Sequence, residues 1–194
     1  MSDVVGVLAL QGAFEKHIEM LSALGVENQR VRYAHELDEC SALIIPGGES
    51  TTMSLLIQKF ELYKKLQEFA AEKPVMGVCA GAILMAETVD DARVIPLKIM
   101  PMTAARNNYG RQVCSFSTDL DLECDAEGLP YQAHFIRAPG LTPNSDKIEK
   151  LASYNGEPVM MRSGRHMALA FHPELTKDSR IHECWLKRFH PSFQ

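Results

Sequence analysis

Cys79 lies in Gly77-Val78-Cys79-Ala80-Gly81, directly after the short apolar run Val75-Met76-Gly77-Val78 and directly before the helix-forming stretch Ala80-Gly81-Ala82-Ile83-Leu84-Met85-Ala86. Small residues two positions to either side suit a sharp strand-to-helix turn, which strains the central residue and leaves no room for bulky neighbours. This is a nucleophile elbow with cysteine in the serine slot. A helix start beside the sulfur favours the thiolate, which is the reactive form. A buried cysteine at a tight turn would show the same local pattern, so the assignment needs a base.

His172-Pro173-Glu174 supplies a candidate at the end of the apolar run Ala168-Leu169-Ala170-Phe171. Proline holds the preceding residue extended, and in extended chain residues i and i+2 project to one side. His172 and Glu174 can then lie side by side, the carboxylate orienting the imidazole, which is the logic of a triad. A third segment, Pro46-Gly47-Gly48-Glu49-Ser50, follows the apolar run 42–45. Its glycines allow backbone N–H groups to point into a site and, with the amide of Ala80, to hold an oxyanion. A phosphate loop is disfavoured, because no lysine follows at the required spacing. Ser50 as a helix cap is compatible with either role.

The elements that must position these residues alternate in the first half: strands over 4–10, 29–33, 42–45 and 75–78, and helices from Phe14 to about Leu24 and over 50–59, 62–71 and from 80 onward. Continuous apolar strands indicate a parallel sheet buried on both faces. The second half reads as short strands over 111–117, 131–136, 147–154, 158–162 and 166–171, as in hairpins or an antiparallel extension. A closing amphipathic helix is expected over 181–189. The expected fold is α/β, a largely parallel central sheet with helices on both faces, in one domain spanning 1–194.

Composition excludes other classes. A net charge of -5 with no basic run argues against nucleic acid, and no apolar stretch approaches the ~20 residues of a membrane helix. The N-terminus has no signal-peptide pattern, so a cytoplasmic protein is expected. The five cysteines, Cys40, Cys79, Cys114, Cys124 and Cys184, have no zinc-like spacing, and a reducing compartment argues against disulfides. No metal and no cofactor are implied. His17, His35, His166, His182 and His190 are read as solvated surface, and His134 as strand packing beside Arg137.

Pro-Gly-Gly-Glu-Ser, Gly-x-Cys-Ala-Gly and His-Pro-Glu, in this order, resemble the class I (Cys-His-Glu) glutamine amidotransferases. Leu8-Ala9-Leu10-Gln11-Gly12, Arg106-Asn107-x-Tyr109-Gly110-Arg111-Gln112 and Phe135-Ile136-Arg137-Ala138-Pro139 are similar to segments of the PdxT/SNO-type glutaminase subunits of pyridoxal 5'-phosphate synthases. The resemblance spans residues 4 to about 189 and implies a three-layer, flavodoxin-like fold. It implies Cys79 as nucleophile, His172 as acid/base and Glu174 as its orienting partner. Gly47, Gly48 and Glu49 fall in the glutamine and oxyanion loop, and Arg106, Ile136 and Arg137 contact L-glutamine. Val78, Ala82 and Ala104-Ala105 depart from the usual family residues without removing a reacting group.

The implied reaction is hydrolysis of glutamine to glutamate and ammonia through a cysteine thioester. At 194 residues no room is left for a synthetase, so a separate protein is expected to consume the ammonia. The resemblance names it as a PdxS/SNZ-type (β/α)8 barrel subunit in a hetero-oligomer, with Gln11 and Gly12 as candidates for coupling. Another amidotransferase subunit, such as that serving imidazole glycerol phosphate synthase, is the alternative; Leu-Ala-Leu-Gln-Gly and Phe-Ile-Arg-Ala-Pro argue against it.

Overall fold

The computed structural model describes residues 3–106, 115–125 and 127–193. The chain runs β1 (Val5–Leu8), α1 (Phe14–Ala23), β2 (Asn28–Val31), β3 (Ala42–Ile45), α2 (Ser50–Lys59), α3 (Tyr63–Glu72), β4 (Val75–Val78) and α4 (Ala80–Met85). It continues with β5 (Ala86–Val89), β6 (Met100–Ala105), β7 (Ser115–Leu120), β8 (Tyr131–Ile136), β9 (Gly140–Pro143), β10 (Glu149–Tyr154), β11 (Glu157–Ser163), β12 (His166–Leu169) and α5 (Arg180–Leu186).

A seven-stranded sheet in the order β10-β11-β12-β4-β3-β1-β2 forms the centre. Strands β2, β1, β3, β4 and β12 are parallel, and β11 and β10 add an antiparallel edge. All four residues of β1, β3 and β4 are buried. Successive side chains of a strand face opposite sides, so both faces of the sheet are covered, the α/β arrangement expected from the apolar runs. The strand order reverses between β1 and β3, and the segments after β1, β3, β4 and β12 meet at the carboxyl edge of the sheet, the ligand edge of such folds.

Several expectations change. Two smaller sheets, β5-β6-β9 and the antiparallel pair β7-β8, stand beside the main one. Strands β5, β6 and β9 carry proline, small and polar residues in place of an apolar run, so only β8 and part of β7 were expected in this region. The Arg111-to-Cys114 part of the expected 111–117 strand, with Asn107 to Gly110, lies outside the described residues. Cys124 and Cys184, 60 positions apart, form a disulfide with a Cα–Cα distance of 6.3 Å. This corrects the reading of every cysteine as unpaired, which rested on local spacing and could not register a contact made by the fold. His17, His182 and His190 are buried, not solvated. Among the described residues no helix is long and apolar enough to cross a membrane.

Candidate active site

Cys79 caps the step from β4 to α4 with φ 50° and ψ -103°, a conformation that side chains other than glycine rarely adopt. Such strain costs about 1–3 kcal/mol and must be held by its surroundings. A hydrogen bond from Cys79 N to Leu169 O (2.8 Å) and one from Ile83 N to Cys79 O (3.1 Å) hold it from both sides. The flanking glycines have a visible cause. A Cβ on Gly77 would come within 2.8 Å of the Gly81 backbone, and one on Gly81 would overlap the Ile45 carbonyl.

His172 reaches the same point from β12. Its Nδ1 lies 2.7 Å from Glu174 Oε1, and both side chains are almost fully buried. Pro173–Leu175 forms a 3-10 turn, not the extended chain expected, and the turn still brings the two side chains together. Burial opposes a charged His172, but contact with Cys79 and Glu174 outweighs it and pushes the imidazole up to about 10. Burial pushes Glu174 up, yet its hydrogen bond with His172 outweighs this and holds it below the ordinary carboxylate range. The pair is therefore arranged as imidazolium beside carboxylate at neutral pH. Ile136 O lies 3.8 Å from Cys79 Sγ, and Arg137 turns the chain there with φ 45°.

The loop after β3 closes the other side. A Cβ on Gly47 would stand 2.5 Å from His172 Cε1, so only glycine lets the loop touch the imidazole. Gln11 Oε1 accepts the Glu49 amide (2.8 Å), and Gly47 O accepts the Ala13 amide (2.9 Å). Gln11, one of the two residues expected to couple to a partner, and Ala13 thus brace this loop from the segment after β1. Glu49 N is engaged by Gln11, and Gly48 and Ala80 both line the cavity beside Cys79.

Glu49 caps α2 through Thr51 N (3.3 Å) and Thr52 N (2.7 Å). Partial burial works against its charge, but the donors of Thr52 and Thr51 hold the carboxyl at about 2. Arg106 spans Glu49 Oε1 (2.9 Å) and Asp91, and also bonds Thr51 Oγ1 (3.0 Å). Its guanidinium is thus already engaged by two carboxylates, and Asp91, which the sequence reading passed over, belongs to this network. Asp91 itself is held far below the usual carboxylate range, chiefly by Arg93 and further by Arg106.

Together these segments enclose a cavity of about 300 Å³. Every candidate site residue lines it except Glu174, which stands behind His172. His134 turns away to Ser117 Oγ (2.6 Å), while its carbonyl accepts the His172 amide. No cluster of three or more metal-ligating side chains occurs among the described residues.

The sequence profile of the SNO glutamine amidotransferase family matches residues 7–191. The chain belongs to this family. SNO-family relatives run along nearly all of it. The pyridoxal 5'-phosphate synthase subunit PdxT of Francisella philomiragia is 45% identical over 186 residues, covering 96% of this chain and 99% of that protein. The protein of the same name from Herpetosiphon aurantiacus is 48% identical over 187 residues, covering 94% and 98%. Among solved structures, a glutamine amidotransferase crystal structure aligns with TM-score 0.88 at 39% identity over 95% of this chain and 97% of the other. PurLQS from Thermotoga maritima aligns with TM-score 0.73 at 15% identity, over 96% and 99%, and shares the fold.

Proposed function

We propose that this SNO-family chain is the glutaminase subunit of a pyridoxal 5'-phosphate synthase and that Cys79, His172 and Glu174 are its catalytic triad. The observation that carries the reading is the strained Cys79 meeting a buried His172–Glu174 pair at the carboxyl edge of the sheet. Near-full-length relatives named as pyridoxal 5'-phosphate synthase subunits support it.

The deprotonated Cys79 sulfur attacks the side-chain amide carbon of L-glutamine, and the C=O electrons move to oxygen. The oxyanion accepts hydrogen bonds from Gly48 N and Ala80 N, an arrangement worth roughly 10²–10³-fold for each such donor. Protonated His172 gives its Nε2 proton to the amide nitrogen as the C–N bond breaks, and ammonia leaves. His172, now neutral, takes a proton from water as the water attacks the γ-glutamyl thioester. Glutamate and the sulfur anion are released, and His172 is again protonated. Acid–base help of this kind supplies roughly 10²–10⁴-fold. Glutamine is zwitterionic, so Arg137 and the rim amides suit its α-carboxylate and Glu49 its α-ammonium. The ammonia passes to a synthase subunit of the barrel type, in a hetero-oligomer with this chain.

Glutamate release from glutamine is measured with and without purified synthase subunit, beside Cys79→Ala. The wild type is expected to turn over faster in the complex, and Cys79→Ala to be inactive in both conditions. A rate indifferent to the synthase would count against the coupling, and an active Cys79→Ala would remove the triad.

A further inference from the structure

Two buried histidines outside the cavity extend the triad inward. His17 on α1 and His182 on α5 have no solvent exposure. His17 Nδ1 lies 3.0 Å from His182 Nε2, and His17 Nε2 lies 3.6 Å from Glu174 Oε2. The other carboxylate oxygen, Oε1, holds His172 Nδ1 at 2.7 Å. His182, His17, Glu174 and His172 therefore form a line of four side chains that ends at Cys79. Neither Glu174 Oε2 nor His17 Nε2 has a hydrogen-bond partner among the described residues, so each is the polar group the other faces.

The proton positions follow from donor and acceptor chemistry. An ionised carboxylate only accepts, so the nitrogens facing it, His172 Nδ1 and His17 Nε2, carry hydrogen. Two N–H groups cannot face each other at 3.0 Å, so one of the two facing histidine nitrogens is bare. Full burial disfavours imidazolium at both histidines; at His17 it outweighs the opposing pull of the Glu174 carboxylate, and the charge of His172 works with it. A neutral His17 protonated on Nε2 is bare at Nδ1 and accepts from His182 Nε2–H. Every donor then points towards the carboxylate. The titratable groups facing His17 are Glu174 and His172 from the turn after β12 and His182 from α5; those facing His172 are Glu174 and Cys79.

We propose that His17, its tautomer set by His182, is a positioning residue that steadies the second oxygen of Glu174 and keeps the carboxylate aimed at His172. A neutral donor suits this role. An arginine or lysine in the same place would cancel the carboxylate charge that makes His172 basic. The inference rests on the reading of Cys79, His172 and Glu174 as a glutaminase triad.

Glutamine hydrolysis by the complex with the synthase subunit tests it across pH for wild type, His17→Ala and His17→Gln. His17→Ala is expected to lower kcat about 10-fold, part of the ~10²–10⁴-fold that acid–base help supplies, with KM nearly unchanged. The alkaline limb of its kcat profile should move down by about one pH unit, the same tenfold read as a shift. His17→Gln keeps an N–H near the Nε2 position and should recover most of the rate. A folded His17→Ala with wild-type kcat and pH profile, or a His17→Gln no better than His17→Ala, overturns the proposal. If the variants fail to fold, ring ¹⁵N shifts of the wild-type protein decide instead. Neutral His17 protonated on Nε2 near pH 7 is required, and a proton on Nδ1 or a cationic ring overturns it. A wild-type complex that does not hydrolyse glutamine would sink the glutaminase reading itself, a different outcome from an active complex indifferent to His17.

Discussion

Gly47→Ala isolates the contact between the loop after β3 and the imidazole of His172. The new methyl would stand 2.5 Å from His172 Cε1, 3.0 Å from its Nδ1 and 3.6 Å from Cys79 Cβ. Gly47 is not at positive φ, so the backbone accepts alanine and the effect is one of space. The ring cannot simply slide back, because Glu174 holds its Nδ1 and is itself buried. It must tilt away from the methyl by about 1 Å, a misplacement that can cost ~10²-fold in rate. We expect kcat for glutamine hydrolysis in the synthase complex to fall by that factor. Overpacking should lower stability by about 1–3 kcal/mol. Glutamate release and thermal unfolding are measured side by side. Gly164→Ala is the control: at φ +57° with nothing within 4 Å, it adds backbone strain without touching the site. It should lose stability by roughly 1–2 kcal/mol and keep its kcat. A folded Gly47→Ala within about threefold of wild type would refute the reasoning, since a 1 Å displacement of the base should cost far more.

The raised His172 makes stability depend on alkaline pH. The contribution is full below about 6.5, shrinks as pH rises and is gone above about 10; thermal unfolding of Glu174→Gln, which lacks the anionic partner, should therefore decline less steeply over that window, and equal slopes would count against the assignment. Glu49→Ala removes the acceptor for Thr51 and Thr52 and a partner of Arg106. It should cost about 1–2 kcal/mol in thermal unfolding as a lost helix cap and raise KM for glutamine, and an unchanged KM would detach Glu49 from substrate binding.

The parts of the fold that sequence reading recovered are those whose information is local. Strands β3 and β4 and helix α2 match their expected bounds because unbroken apolar runs, or helix-spaced residues, end at Pro46-Gly47-Gly48, Cys79 and Phe60-Glu61. Strand β6 was missed although Met100, Met102 and Ala104 are buried in alternation, because Pro101 and small residues blur the period. His17 carried a usable signal as well: it sits at helical spacing from Phe14 and Leu21, on the apolar face of α1. Histidine is polar enough to be read as surface, and only packing against α5 shows otherwise.

Residue order alone was enough to place Cys79 at a strand-to-helix elbow, to pair His172 with Glu174 and to point to the SNO family, because each pattern lies within a few positions. The meeting of β4, β12 and the loop after β3 is a different matter, since it depends on strand order and on backbone contacts across more than a hundred residues. So do the engagement of Arg106 by Glu49 and Asp91, the pairing of Cys124 with Cys184 and the two histidines behind Glu174. Local steric rules act between neighbours and leave their mark on short stretches of sequence. The contacts that hold His172 and Glu174 charged against their burial, and the burial that disfavours a charged His17, are properties of everything packed around them and exist only once the chain has folded.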